Sequence, residues 1–299
     1  MPKSKTAFVA IVGKANVGKS SILNRLIGSK IAIVSSKPQT TRTRIMGVLT
    51  TEDCVQLVFT DTPGFHKPKT KLGEKMVQAV SDSISGVDSC LFVVDAQSNE
   101  LNGAELELIN KFKAEKMTVV LALNKIDLIV DKTTLIKKLA YLSSLYDFKA
   151  IVPVSAADGN GIDELLDELK ALSFESVHYF PDDTLTDQPE RVLAAEIIRE
   201  KMLRLLDKEI PHGTAVAIEK MREREDKDIL DIEATIYCER ESHKGIIIGK
   251  QGAMLKKIST LARHDLESFF DIKVNLKCWV KVKEDWRNRE GLIHNFGLD

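Results

Sequence analysis

The sequence predicts an α/β chain in two parts: a leading domain with a mostly parallel sheet covered by helices, followed by a smaller α+β domain. Three observations carry this. Apolar strand-like runs alternate with helical periodicity from Ala7 to about Leu172, the pattern of parallel strands joined by crossover helices. The first run, Ala7 to Val12, leads into Gly13-Lys14-Ala15-Asn16-Val17-Gly18-Lys19-Ser20, and Ser21, Ile22, Leu23, Leu26 and Ile27 continue at helical spacing. Behind a stretch holding Pro181 and Pro189 the pattern changes to a helix, two alternating strands, a glycine-flanked helix pair and a last strand.

Taken in order, strand, glycine loop and helix make the stretch Gly13 to Ser20 a P-loop, G-x-x-x-x-G-K-[ST]. Its glycines let successive backbone N–H groups turn toward a polyphosphate, and the following helix adds its positive end. Lys19 reaches the β- and γ-phosphates and the Ser20 hydroxyl serves Mg²⁺. Gly28 ends the helix, and Ser35 to Thr43 then reads as a polar loop without apolar period. A threonine there completes the Mg²⁺ shell while a γ-phosphate is present and lets go after hydrolysis. Thr41 is favoured, with Thr40 the alternative.

Val55 to Thr60 reads as a buried strand, so Asp61-Thr62-Pro63-Gly64 stands at a strand's carboxyl end, where such sheets bind ligands. Asp61 holds Mg²⁺ through water, and Gly64 brings its N–H to the γ-phosphate. Phe65 follows, where a glutamine would orient the attacking water; phenylalanine cannot do this, so slow intrinsic turnover is expected. Lys19, Thr41, Asp61 and Gly64 are the catalytic candidates. His66 is a lone loop histidine, more often without a role.

Cys90 to Val94 reads as the next strand, and Val119 to Leu123 leads to Asn124-Lys125-Ile126-Asp127. The Asp127 carboxylate accepts from both N1–H and the exocyclic amine of guanine, whereas adenine offers an acceptor and no amine. Sites built on such bonds reject the wrong base by on the order of 10⁴-fold. After Ile151 to Val154, Ser155-Ala156 supplies a loop whose backbone N–H reaches guanine O6. The leading domain spans residues 1–175, and 176–189, rich in Asp, Thr and Pro, reads as a linker.

In residues 190–299, Arg191 to Leu206 reads as a helix, Ala215 to Met221 and Ile229 to Cys238 as strands with the hairpin tip at Glu223 to Asp228, and Ile272 to Val282 as a strand. Between them lies Gly245-Ile246-Ile247-Ile248-Gly249-Lys250-Gln251-Gly252, with Met254, Leu255, Ile258, Leu261 and Ala262 along a helix. Lys256, Lys257, Arg263, Lys273, Lys277, Lys281 and Lys283 give the region a positive face. Trp286, Arg287, Arg289 and Phe296 in the terminal run offer further base contacts, although apolar residues on a terminal helix more often dock onto their own domain.

The bulk properties agree with this plan. A chain of 299 residues, 43% hydrophobic and 29% charged, suits two globular domains. A net charge of −1 excludes a uniformly basic coat, so nucleic-acid contact must come from local patches. Four scattered cysteines suggest neither a zinc site nor a disulfide framework and fit a reducing cytoplasm. The N-terminal apolar run is too short for a signal or membrane helix.

Gly13 to Ser20, Asp61 to Gly64, Asn124 to Asp127 and Ser155-Ala156, in that order, resemble the signature of the translation-factor-related GTPases. Gly249 to Gly252 resembles the G-x-x-G loop of KH modules in their bacterial version, which clamps four nucleotides of single-stranded RNA; Ile248, Gly249, Lys250, Gln251, Gly252 and Lys256 are its candidate contacts. The combination, with Gln39-Thr40-Thr41-Arg42 and Asp61 to Pro68, closely resembles the Era family of bacterial ribosome-assembly GTPases over nearly the whole chain. The resemblance implies a monomeric GTP-hydrolysing switch that binds the 3′ region of small-subunit (16S) ribosomal RNA. It also implies a part in rRNA processing and small-subunit assembly, and peripheral contact with the inner membrane. Asn16 is similar to the asparagine with which some GTPases lacking the glutamine hold K⁺. The competing expectation is an RNA-binding or membrane-surface scaffold in which GTP is structural; assembly unaffected by Lys19→Ala, with hydrolysis retained in the normal chain, would favour it.

Overall fold

A computed structural model describes residues 3–298 apart from 65–67, 69, 85 and 99. Two compact units result: Met1–Ala32, Thr41–Pro68 and Lys75–Asp187 form one, and Ile33–Thr40, Lys69–Glu74 and Gln188–Asp299 the other.

The first unit is built on β1 (Lys5–Val12), β2 (Ile45–Thr50), β3 (Val55–Asp61), β4 (Ser89–Asp95), β5 (Val119–Asn124), β6 (Ala150–Val154) and the short β7 (Phe174–Glu175). Its sheet runs β2-β3-β1-β4-β5-β6, with β7 antiparallel on β1. β2 is antiparallel to β3, and the remaining pairs along that path are parallel. β2 has no counterpart in the sequence reading, because Ile45 to Thr50 is short and carries Gly47 at its centre. The helices are α1 (Lys19–Ile27), α2 (Lys71–Ile84), α3 (Gly103–Glu115), α4 (Lys132–Ser143) and α5 (Ile162–Lys170).

Strand side chains alternate between two cores. Val9, Ile11, Phe59 and Val93 pack with Ile22, Leu23 and Leu26 of α1 and Leu165 and Leu169 of α5. Ala10, Val12, Phe92 and Val94 pack with Val80 of α2, Leu108 and Phe112 of α3 and Leu142 of α4. Such two-sided burial is why these strands read as unbroken apolar runs. It also places the loops at the strands' carboxyl ends side by side, the ligand-binding end of such sheets.

The stretch read as a linker is held along the first unit. Val48 N–H donates to Leu185 O (2.9 Å) and Gln56 Nε2 to Phe180 O (2.9 Å), while the Thr186 hydroxyl donates to Met46 O (2.6 Å). Polar side chains and backbone groups satisfy one another here without apolar periodicity, so the sequence pattern carries no trace of it.

In the second unit, β8 (Thr214–Arg224), β9 (Lys227–Cys238) and β10 (Lys273–Val282) form a sheet in the order β10-β9-β8. β8 and β9 make an antiparallel hairpin with a bulge between Ile218 and Lys220, and β10 runs parallel to β9. The helices are α6 (Glu190–Leu205), α7 (Glu241–Ile248), α8 (Ala253–Phe270) and α9 (Glu290–Asn295). Ile198 and Met202 of α6, Ile247 of α7, and Ile258 and Ala262 of α8 pack against Ala234, Ile236, Leu276, Cys278 and Val280. One face of the sheet therefore carries the core and α6, α7 and α8 cover it.

The terminal segment is docked. Trp286 is fully buried, its Nε1–H donates to Gly213 O (2.9 Å), and Phe296 packs on its ring edge-on. Arg287 forms a two-pronged pair with Glu239 at 2.7 and 3.0 Å. Trp286 is thus no base-stacking residue, which corrects that expectation, and burial of so large an apolar ring is the physical reason. No helix among the described residues is long and apolar enough to cross a membrane.

Candidate functional site

At the carboxyl end of β1 the chain turns through residues 13–18 into α1, whose first residue is Lys19. Gly18 caps the helix at φ 100°, and Asn16 adopts φ 66°, a left-handed conformation that asparagine tolerates. Lys19 is 6% exposed and its ammonium donates to the carbonyls of Gly13 (3.2 Å) and Lys14 (3.1 Å). Burial pushes its pKa down, against the pull of Asp61. Ser21 is the third residue of α1, within its first turn, and Val17 is buried in the core beside that helix.

Three oxygen-bearing side chains from separate segments meet next to it. Ser20 Oγ donates to Asp61 Oδ2 at 2.6 Å and lies 2.9 Å from Thr41 Oγ1, which is 3.4 Å from the same carboxylate oxygen. Burial pushes the Asp61 carboxyl upward, opposed by Lys19, Ser20, the Thr62 N–H and Thr41. Burial thus disfavours the charged forms of both Lys19 and Asp61, the balance that a bound anion and a bound cation would reverse. An all-oxygen set of two hydroxyls and one carboxylate fits a hard cation such as Mg²⁺. Of the two threonines, Thr41 joins this cluster, while the Thr40 hydroxyl is engaged with Ser35 Oγ and Lys37 O, both at 2.7 Å.

Thr62 is buried and bonds Ile11 O through its hydroxyl (2.8 Å), fixing the start of the turn at Pro63. Gly64 then passes so close to the P-loop that a Cβ there would lie 2.5 Å from Ala15 Cα and 2.7 Å from its nitrogen. Only glycine permits that approach. Phe65 and His66 lie outside the described residues.

Asn124 closes the arrangement in a way the sequence reading missed. It is 2% exposed; its Nδ2 donates to Val17 O (2.7 Å), and its Oδ1 accepts from Ala156 N–H (3.0 Å). One amide thereby ties the P-loop to the loop after β6. Ser155 N–H donates to Asn160 O (2.8 Å), so both amides of Ser155-Ala156 are engaged within the protein. The Ala156 N–H thereby gives the buried Asn124 oxygen the donor it needs.

Asp127 is exposed and accepts from Ser155 Oγ at 2.7 Å, while Lys125 pairs with Asp95 at 2.6 Å. Arg25 Nε reaches Ala156 O (2.9 Å). Asp95 and Arg25 escaped the sequence reading. Asp95 ends β4 at the carboxyl edge, and that strand position is the signal by which it was open to detection; Arg25 is 131 residues from its partner and carries no local signal.

In the second unit, Gly249 ends α7 at φ 74°, and a Cβ there would stand 2.7 Å from Met254 Cβ. Lys250 and Gln251 are exposed at the tip, Gln251 with φ 51°, and Gly252 caps α8 with φ 80°. Ile248 is half-buried and Lys256 is exposed on the first turns of α8. The basic residues do not form one face, which corrects the sequence reading. Lys256 and Lys257 stand on α8, whereas Lys273, Lys277 and Lys281 alternate with the core residues of β10 and point to the opposite side of the sheet. Period-two alternation, invisible in a count of charges, separates them.

A family model described as "50S ribosome-binding GTPase" matches residues 8–125 and a KH domain model matches residues 209–287. GTPase Era of Ruminiclostridium cellulolyticum is 51% identical over 98% of this chain and 97% of its own length. GTPase Era of Clostridioides difficile is 50% identical over 99% of both chains. A crystal structure of Era in complex with MgGDPNP and nucleotides 1506–1542 of 16S ribosomal RNA superposes with a TM-score of 0.94, at 38% identity and 99% coverage of both chains. An Aquifex aeolicus Era variant bound to GDP·AlF4⁻ likewise gives 0.94 at 38% identity, covering 98% of this chain and 99% of that one. With half its residues shared along essentially the full length of such relatives, and with its phosphate loop, hydroxyl-carboxylate cluster and G-x-x-G turn all in place, the chain belongs to the Era family of GTPases, hydrolases that act on GTP.

Proposed function

We propose that this GTPase uses its nucleotide as a switch while its second unit binds the 3′ region of small-subunit ribosomal RNA, in processing of that RNA and assembly of the small ribosomal subunit. The observation that carries the reading is the full-length likeness to an Era bound to nucleotides 1506–1542 of 16S rRNA, together with a G-x-x-G turn whose exposed tip is open to a phosphodiester backbone.

For the nucleotide, residues 13–21 and Lys19 hold the phosphates, and Ser20, Thr41 and Asp61 hold Mg²⁺, which supplies charge neutralisation at the transferred phosphoryl group. Gly64 offers its N–H to the γ-phosphate, with Thr62 and Pro63 shaping the turn. Asp127 reads guanine, seated by Ser155, and Asn124 and Lys125 hold the surrounding loops. Asn16 is the proposed contact for K⁺. Action as a monomer in the cytoplasm, with peripheral contact at the inner membrane, is carried by the family resemblance.

Lys250→Asp tests the RNA half. Fluorescence anisotropy with a labelled RNA of nucleotides 1506–1542 is expected to show binding weakened at least about tenfold, since a phosphate partner becomes a repelling charge, with GTP affinity unchanged. Equal RNA affinity before and after the change refutes the loop as the clamp.

A further inference from the structure

β10 is an edge strand whose two sides differ sharply. Val274, Leu276, Cys278, Val280 and Val282 face the core, while Lys273, Lys277 and Lys281 are exposed on the other side, with Trp279 among them at 44% exposure. In register, Lys277 lies beside Glu233 and, beyond it, Lys220; Trp279 lies beside Thr235 and Ala217. The acids on this face are partly answered. Asp231 is held by Arg224 at 2.7 and 2.8 Å and by Asn275 Nδ2 at 2.7 Å, and Glu233 sits between Lys220 and Lys277.

We propose that this outward face of β10 is a second RNA-binding row, separate from the G-x-x-G loop, that tracks a single strand with its lysines and stacks a base on Trp279. The proposal rests on the RNA reading above. A G-x-x-G loop clamps about four nucleotides, so a longer ribosomal segment needs more protein surface to follow. Lys273, Lys277 and Lys281 recur every fourth residue, about 13 Å apart along a strand, a spacing that spans about two phosphates of an extended chain, and Trp279 stands midway between the last two lysines. Charge complementarity selects a polyanion for the lysine row, and an aromatic ring within such a row is the arrangement by which sheets take unpaired bases. α7 and α8 pack on the other side of the sheet, so one strand of RNA engages the two surfaces through different nucleotides.

The chain's two tryptophans make the test direct, because Trp286 is fully buried and Trp279 is not. The full chain, loaded with a GTP analogue, is titrated with an RNA of nucleotides 1506–1542. Stacking is expected to quench tryptophan emission in the unaltered protein, and Trp279→Tyr abolishes the quenching while keeping an aromatic ring and the affinity within about threefold. Trp279→Ala weakens binding by about tenfold. Lys277→Ala with Lys281→Ala lowers the slope of log affinity against log salt by about 1.4, at roughly 0.7 per phosphate of a single strand. If quenching is absent and neither affinity nor salt slope moves, while Lys250→Asp still weakens binding, the β10 row is refuted and the loop reading stands. If the unaltered chain fails to bind this RNA, the RNA reading itself falls.

Discussion

Asn124 is the most sharply testable residue of the nucleotide site, because its effect follows from partners that nothing else replaces. Asn124→Ala removes a donor from Val17 O and an acceptor from Ala156 N–H, both buried with the side chain. Each orphaned buried group costs about 1–3 kcal/mol. The first unit should therefore lose about 2–5 kcal/mol, allowing for some relaxation. Asn124→Asp is diagnostic, since it keeps an acceptor for Ala156 and sets an oxygen against Val17 O. Its loss should be no smaller than that of the alanine variant. Tryptophan emission cannot report this, as both tryptophans lie in the second unit. Hydrogen exchange of the full chain can, with β1 and β5 amides exchanging roughly thirty to a few thousand times faster and β9 amides unchanged as the internal control. Protection of β1 and β5 altered by less than about threefold would refute the tie between the two loops.

Three further outcomes are expected. Asp127→Asn should shift preference from guanine to xanthine nucleotides, because the new amide donor matches the oxygen at C2; GDP affinity left unchanged in calorimetry removes Asp127 from base reading. Gly64→Ala should slow single-turnover GTP hydrolysis by about a hundredfold, since its Cβ meets Ala15 backbone at 2.5 Å and must displace one of the two turns; turnover within twofold of the parent refutes the close approach. Arg224 foremost, then Asn275, holds the Asp231 carboxyl well below the usual carboxylate range. Its folded pKa is thus below the unfolded value near 3.9, so the stabilisation is present above about pH 4 and lost as pH falls below that. The stability difference between the parent and Asp231→Asn, followed by Trp286 emission in urea, should be level from pH 7 to 5 and shrink below about pH 4; an equal difference at pH 3 refutes the ion pair's contribution.

Local pattern made the strands at Ala7, Val55, Cys90, Val119 and Ile151 legible, because burial on both faces leaves unbroken apolar runs and the loops after them hold the polar motifs. The same rule led to Lys19, Ser20, Asp61, Asn124 and Asp127, each within a few residues of a strand's carboxyl end. β2 escaped because a short edge strand with a central glycine has little period to detect, and the lie of residues 176–187 escaped because it depends on polar bonds to residues more than 120 positions away.

The sequence by itself determined which motifs are present and in what order: the G-x-x-x-x-G-K-S loop at Gly13 to Ser20, a carboxylate at a strand's end in Asp61, the Asn124 to Asp127 motif and the G-x-x-G turn at Gly249 to Gly252. Tertiary structure decided which groups share a hydrogen bond. It set the Thr41 hydroxyl beside Ser20 and Asp61 and that of Thr40 beside Ser35 and Lys37, engaged the Ser155 and Ala156 amides within the protein, buried Trp286 and left Trp279 exposed. Motifs depend on neighbours along the chain, whereas partner choice and exposure depend on which segments folding brings together, and that information is spread over residues too distant for any local pattern to contain it.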